Sequence, residues 1–250
     1  MKDFGTVAGV SMPDWAIARA VGRRGTAHPF ADIDPVRTAL VVIDMQVGYL
    51  HERGGYMACA AAVEAVPNVN ALAAGLRAAG GLVCWVQNTH DECCLRTWTV
   101  QQSMNTPESN ARRNAAMSPG SVGHALWPDL DVRSGDEIVL KRRYSAFIPG
   151  TCDLDGILRA RGIDTILMTG TLTNVCCESS ARDAMMLDYR VIMVSDACAT
   201  TSRAEHDASL AGFYATFGDV MDTRFILDRL TAPARTAAPA AAAPAAAETC

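Results

Sequence analysis

Between residues 38 and 221 the chain switches repeatedly between two hydrophobic periods. The short apolar runs TALVVID (38–44), LVCWVQN (82–88), DEIVLK (136–141), DTILMTG (164–170) and RVIMVSD (190–196) read as strands buried on both faces. Helical patterns separate them. PNVNALAAGLRAAGG (67–81) predicts a helix with Pro67 in its first turn and a glycine pair at its end. DLDGILRARGI (153–163) predicts a second helix, closed by Gly162, and CCESSARDAMMLDY (176–189) a third. SRAEHDASLAGFYATFG (202–218) predicts a fourth, opened by a capping box of Ser202 and Glu205. A short sixth strand at Asp219–Met221 and a last helix ending at Leu230 complete the series. Apolar strands alternating with helices predict a single three-layer α/β domain: a mostly parallel six-stranded sheet with helices on both faces.

Three stretches fall outside this rhythm. Residues 1–36 show no clean period and read as an N-terminal arm, extended rather than folded, ahead of a domain at 37–230. Residues 231–250 are Ala/Pro repeats that can bury no core, so a disordered tail is expected. Residues 89–135 form a long polar connection, and a connection of that length inside a compact domain is expected to be a lid or a substrate loop.

The 250 residues are half hydrophobic and 20% charged, enough for one sizeable core. A formal net charge of -5 with no basic stripe argues against nucleic acid as a partner. No apolar run approaches the ~20 residues of a membrane span, and the first residues lack the apolar stretch of a signal peptide. No membrane association and a cytoplasmic location are expected. Nine cysteines are many for that compartment, but the count is odd and no C-x-x-C pair occurs. Neither a disulfide framework nor a zinc knuckle fits, and most are expected to be small buried hydrophobes.

In an open parallel sheet, ligands bind beyond the carboxyl ends of the strands. Asp44 ends the first strand, Asn88 the second and Lys141 the third, and Cys176 opens the helix after the fourth. An acid, a lysine and a thiol from distant parts of the chain therefore share one rim. A lysine and a helix N-terminus both favour a thiolate, and a carboxylate can take the thiol proton and return it to a leaving amine. Taken singly, each has a plainer reading: a loop cap for Asp44, a solvated charge for Lys141, packing for Cys176 and Cys177. Their coincidence at one rim favours catalysis. His90 has no partner at metal-ligand spacing, and His206 reads as a helix-surface residue. A redox role for the vicinal pair Cys176–Cys177 lacks C-x-x-C geometry.

The segments ALVVIDMQ (39–46), VLKRRYSAF (139–147) and TGTLTNVCCESSARDAMMLDYRVIMVSDACA (169–199) resemble the signature regions of the isochorismatase-like cysteine hydrolases. The resemblance covers about residues 37 to 222 and is nearest to the ureidoacrylate and N-carbamoyl amidohydrolase branch, with its T-N-x-C-V-E-S-T-x-R-D pattern. It implies a catalytic triad of Asp44, Lys141 and Cys176. It also implies a non-proline cis peptide at Thr171–Leu172 and an oxyanion hole from the N–H groups of Leu172 and Cys176. Gln46, Asn88, Tyr144 and Asn174 adjoin these residues and are candidate substrate contacts. The chain departs from the pattern at Cys177, where Val is usual. It departs again at Asn88-Thr89-His90, where the nicotinamidase branch carries an Asp-x-His metal pair, so no metal is expected. The isochorismatases proper lack the cysteine and cleave a vinyl ether. With the thiol kept, the expected activity is cysteine-dependent hydrolysis of a C–N bond in a small amide or ureido compound, through a thioester and without a cofactor. Hydrolysis of a lactam, or a catalytically silent binding protein of this fold, are the alternatives. Relatives imply a homodimer or homotetramer.

Overall fold

The computed structural model describes residues 4–7 and 10–231. In chain order the elements begin with a two-stranded antiparallel hairpin, β1 (Phe4–Val7) and β2 (Val10–Pro13), and helix α1 (Asp14–Arg24). The domain follows: β3 (Thr38–Ile43), α2 (Val47–Leu50), α3 (Ala60–Ala78), β4 (Leu82–Asn88), α4 (Glu92–Thr97), α5 (Thr99–Ser103), α6 (Pro107–Met117) and β5 (Glu137–Lys141). Then come α7 (Leu154–Ala160), β6 (Thr165–Thr171), α8 (Glu178–Met186), β7 (Arg190–Ala199), α9 (Arg203–Thr216), β8 (Asp219–Met221) and α10 (Thr223–Leu230).

The main sheet has six strands in the order β5-β4-β3-β6-β7-β8, all parallel. The first strand into the sheet, β3, is central, and the chain winds outward from it first to one edge and then to the other. That reversal puts the topological switch point, where α/β sheets open a crevice, between β3 and β6. Every residue of β3, β4 and β6 is buried. Alternate residues of β3 serve opposite faces: Ala39, Val41 and Ile43 pack with α1, α7, α8 and α9, and Leu40 and Val42 with α3 and α10. Each such Val, Leu or Ile contributes roughly 1.5–3 kcal/mol by leaving water. Among the described residues no helix is long and apolar enough to cross a membrane.

Two sequence expectations are corrected here. Helix α3 begins at Ala60 rather than Pro67, which lies inside it. The Ala-rich turns before Pro67 favour helix and bury Ala62, Ala65 and Val66, which offsets the N–H that proline cannot donate. The expected end is present. Gly81 N–H donates to the Leu76 carbonyl (2.9 Å) and Gly80 N–H to that of Arg77 (3.0 Å), with Gly80 at φ +88°. The second correction concerns residues 10–24, read as extended arm, which are β2 and α1. Helix α1 buries only Ala16 and Ala20, too small a stripe to show as a period. It is held by Arg23 and Arg24, which donate to the carbonyls of Ala215, Tyr214 and Gly218 at the end of α9. The Ala/Pro tail expected to be disordered lies, from residue 232 on, outside the described residues.

The long connection at 89–135 carries α4, α5 and α6 and is sewn to the rim. Val47 N–H donates to the Ala125 carbonyl (2.9 Å), Gly48 N–H to that of Gly123 (2.9 Å) and Trp127 N–H to that of Met45 (2.9 Å). The connection thereby roofs the carboxyl end of β3.

Candidate active site

The strand ends on either side of the switch point carry the chemistry. Asp44 follows β3 directly, with its N–H bonded to the Val86 carbonyl (2.9 Å) and its backbone in the left-handed region at φ +53°. That conformation is uncommon for a residue with a side chain and is tolerated best by Asp and Asn. Lys141 ends β5, one strand beyond β4, and Lys141 Nζ reaches to 2.8 Å from Asp44 Oδ2. Both side chains are fully buried. Lys141 Nζ also donates to the Arg143 carbonyl (3.0 Å).

Beyond β6, a cis peptide joins Thr171 to Leu172, and residues Thr173–Cys177 form one wide helical turn ahead of α8. Cys176 therefore lies in the turn before α8 rather than at its first position. It is buried, and its thiol is within hydrogen-bonding reach of Asp44 and Lys141. The Leu172 carbonyl accepts from the amides of Val175 (3.1 Å) and Cys177 (3.2 Å), passing over the Cys176 N–H between them. The turn is braced from both sides. Thr173 Oγ1 pairs with His206 Nδ1 at 2.9 Å, and Asn174 Oδ1 accepts from Thr200 Oγ1 at 2.9 Å. His206, expected on the helix surface, instead holds the turn that carries Cys176.

Burial dominates the electrostatics. It pushes the Asp44 carboxyl above its ordinary value, with Lys141 partly offsetting it. It pushes the Cys176 thiol well up as well, against the pull of Lys141. Desolvation would depress Lys141, but the negative charge of Asp44 outweighs it and holds the ammonium protonated. The expected thiolate-favouring field thus loses to desolvation, and Cys176 rests as the thiol beside a protonated Lys141. The ammonium of Lys141 stands against Asp44 Oδ2 at 2.8 Å, and the Cys176 thiol is the proton donor nearest to hand for the carboxyl.

The remaining candidates separate. Gln46 is a brace. Its Oε1 accepts from Asn88 N–H (2.8 Å), and its Nε2 donates to the carbonyls of Asn88 (3.2 Å) and His124 (2.8 Å), so both of its N–H donors are spent on backbone. Asn88 donates its amide to the Tyr49 hydroxyl, and its Oδ1 is buried without a partner, free for a guest. Tyr144 is partly exposed and packs edge-on against Trp98 at 4.8 Å. His90 bonds Asn114 Oδ1 at 2.7 Å. Among the described residues no group of three His, Cys, Asp or Glu side chains is placed to hold a metal.

Two residues were not read from the sequence. Tyr49, buried, takes the Asn88 amide on its hydroxyl, burial and Asp44 push that hydroxyl's pKa up, and no motif marks it. Arg113 sits on α6 with Ala116 and Met117, at i, i+3 and i+4 of the buried face. A charge in that register was the available signal.

A cavity of about 510 Å³ lies at the amino ends of β4 and β5, lined by Arg77, Arg133 and Arg161 among others. It is at the opposite edge of the sheet from Asp44, and its three arginines are paired with Asp131, Asp136 and Glu137.

The Isochorismatase domain family matches residues 38–225, three quarters of the chain and all of the rim just described. The chain belongs to the isochorismatase family. The ureidoacrylate amidohydrolase RutB of Klebsiella pneumoniae is 35% identical over 203 residues, covering 75% of this chain and 84% of that protein. The structure of a cysteine hydrolase from Pseudomonas syringae pv. phaseolicola superposes with a TM-score of 0.71 at 30% identity, covering 80% of this chain and 94% of that one. That of N-carbamoylsarcosine amidase from Thermoplasma acidophilum does so with a TM-score of 0.59 at 28% identity, covering 75% and 96%. Isochorismatase-family neighbours thus share the six-stranded α/β fold as well as the sequence pattern.

Proposed function

We propose that this protein hydrolyses a C–N bond of a small amide or ureido compound through a thioester on Cys176. The observation that carries the reading is the buried Asp44–Lys141 pair at 2.8 Å with the Cys176 thiol against it. The kinship with a ureidoacrylate amidohydrolase supports the choice of bond.

In the first step Asp44 takes the thiol proton as sulfur attacks the carbonyl carbon. A carboxylate made more basic by burial suits this role, and the transfer avoids a free thiolate in a dry site. Lys141 keeps its charge throughout, holding Asp44 in place and balancing it. The oxyanion is received by the N–H groups of Leu172 and Cys176, the latter passed over by the Leu172 carbonyl. The tetrahedral adduct collapses, the C–N bond breaks, and Asp44 returns its proton to the departing ammonia or amine. Water then adds to the thioester with Asp44 again accepting a proton, and Cys176 is released as the thiol. Asn88 Oδ1, buried without a partner, supports a role in accepting an N–H of the amide or ureido group.

Primary amides, ureido acids and N-carbamoyl amines assayed for ammonia release test this reading. Turnover lost in Cys176→Ala supports it. Ring opening of lactams without ammonia release would replace the substrate class.

A further inference from the structure

The charges at the rim do not cancel. Asp44 and Lys141 neutralise one another, and Asp91 is taken by Arg142 at 2.7 Å. Arg143 is partly exposed and bonded to the carbonyls of Arg142 and Thr97, and Arg113 is the buried cation left over. It is 94% buried, at 6% relative exposure, yet among the described residues no carboxylate lies within ion-pair distance of it. Its Nη2 donates to two neutral amides, Gln101 Oε1 and Asn110 Oδ1 (3.3 Å), and its Nε is buried with no acceptor at all. A buried guanidinium is costly unless an anion meets it, and this one keeps unfilled donors.

Its position links it to the chemistry. The Gln101 side chain that accepts from Arg113 also donates to the Tyr144 hydroxyl at 3.5 Å. Tyr144 in turn follows Lys141 by three residues at the end of β5 and packs edge-on against Trp98 at 4.8 Å. Helix α6, which carries Arg113, is tied to the rim beyond β4 by His90, whose N–H donates to the Met117 carbonyl (3.0 Å) and whose Nδ1 pairs with Asn114 Oδ1 (2.7 Å).

We propose that Arg113 is a specificity-determining residue that binds a carboxylate of the substrate, so that the enzyme acts on small acids carrying the amide or ureido group and not on neutral amides. The inference rests on the amidohydrolase reading for the position of the scissile carbonyl, but the anchor has its own chemistry. Guanidinium and carboxylate match in shape and charge. With Nη2 partly committed, Nε is the donor that the acid completes.

The probes are 3-ureidopropionate and its methyl ester, identical at the ureido end and different only in charge. Arg113→Met should bring the acid/ester ratio of kcat/KM from at least tenfold down to near one, chiefly through KM for the acid. Arg113→Lys should restore part of the preference. Binding of both probes to the Cys176→Ala protein, by calorimetry, gives the same comparison without turnover. Acid-selective binding that Arg113→Met removes, in a protein that hydrolyses neither probe, would keep the anchor and sink the amidohydrolase reading. A ratio that Arg113→Met leaves unchanged, or the absence of acid selectivity in both readouts, overturns the anchor. A purely structural role for Arg113 would lower the melting temperature and leave the acid/ester ratio where it was.

Discussion

Lys141 Nζ lies 2.8 Å from Asp44 Oδ2, and neither side chain reaches solvent. A pair buried this completely is sensitive to loss of one member, because the other is left charged in a dry site. Asp44→Asn or Lys141→Met should each cost on the order of 3–5 kcal/mol of stability, and the double variant should regain much of it. Activity should behave otherwise. Asp44→Asn removes the proposed base and should lower kcat by about 10²–10⁴-fold, with no recovery in the double variant. Denaturation midpoints and kcat for the three proteins separate the two effects.

Lys141→Met has a second consequence. The ammonium opposes the upward push of burial on the Cys176 thiol, so its removal should move the thiol higher still. Alkylation of Cys176 should then slow at every pH below the thiol's titration. An unchanged rate–pH profile would take Lys141 out of the site.

The two adjacent cysteines should differ sharply. Cys177 is fully buried, and its thiol donates to the Thr169 carbonyl of β6 at 3.7 Å, beside Cys198. It faces the sheet rather than the Asp44–Lys141 pair. Cys177→Val fills the same space and should keep most activity, whereas Cys176→Ser should lose nearly all. Steady-state rates on folded, purified variants check this.

Gly170 packs against β3 at the switch point. A methyl group there would sit 2.0 Å from the Ile43 carbonyl oxygen, and the backbone φ of +108° disfavours any side chain. Gly170→Ala should cost at least ~2–3 kcal/mol and shift the strand end that leads into Asp44. Circular dichroism melts should show a drop of several degrees, together with lost activity.

His90 sets an acid limit. Burial holds it down to about 4 against an ordinary 6.5, with Asn114 opposing. A depressed histidine contributes stability that is present above about pH 6.5 and is lost as pH falls towards 4. By the linkage relation this is on the order of 3 kcal/mol. The melting temperature should fall across that window, and His90→Gln should flatten the fall.

Much of this was legible because buried parallel strands announce themselves. LVCWVQN is β4 residue for residue, and its last residue, Asn88, does lie at the rim. Ser202 caps α9 as its sequence predicts, accepting from Glu205 N–H at 3.4 Å. Strand ends then bring Asp44, Lys141 and Cys176 to one place by topology alone. Other features left little trace. Pro67 hid the first turns of α3, since its usual place is a helix start. Helix α1 buries two alanines, and its anchors are arginine bonds to distant carbonyls that no local pattern encodes. Gln46 adjoins Asp44 and reads as a substrate contact, but the side chain's direction decides its role, and it points to backbone.

The most direct measurement is the identity of the acylated residue. A slow ureido or amide substrate, quenched in acid during turnover and digested, should give a peptide from residues 173–182 with the acyl mass on Cys176. The adduct should be absent in Cys176→Ala and should accumulate when the water step is slowed. An adduct on Cys177, or turnover by Cys176→Ala at the rate of the unaltered protein, would contradict the account.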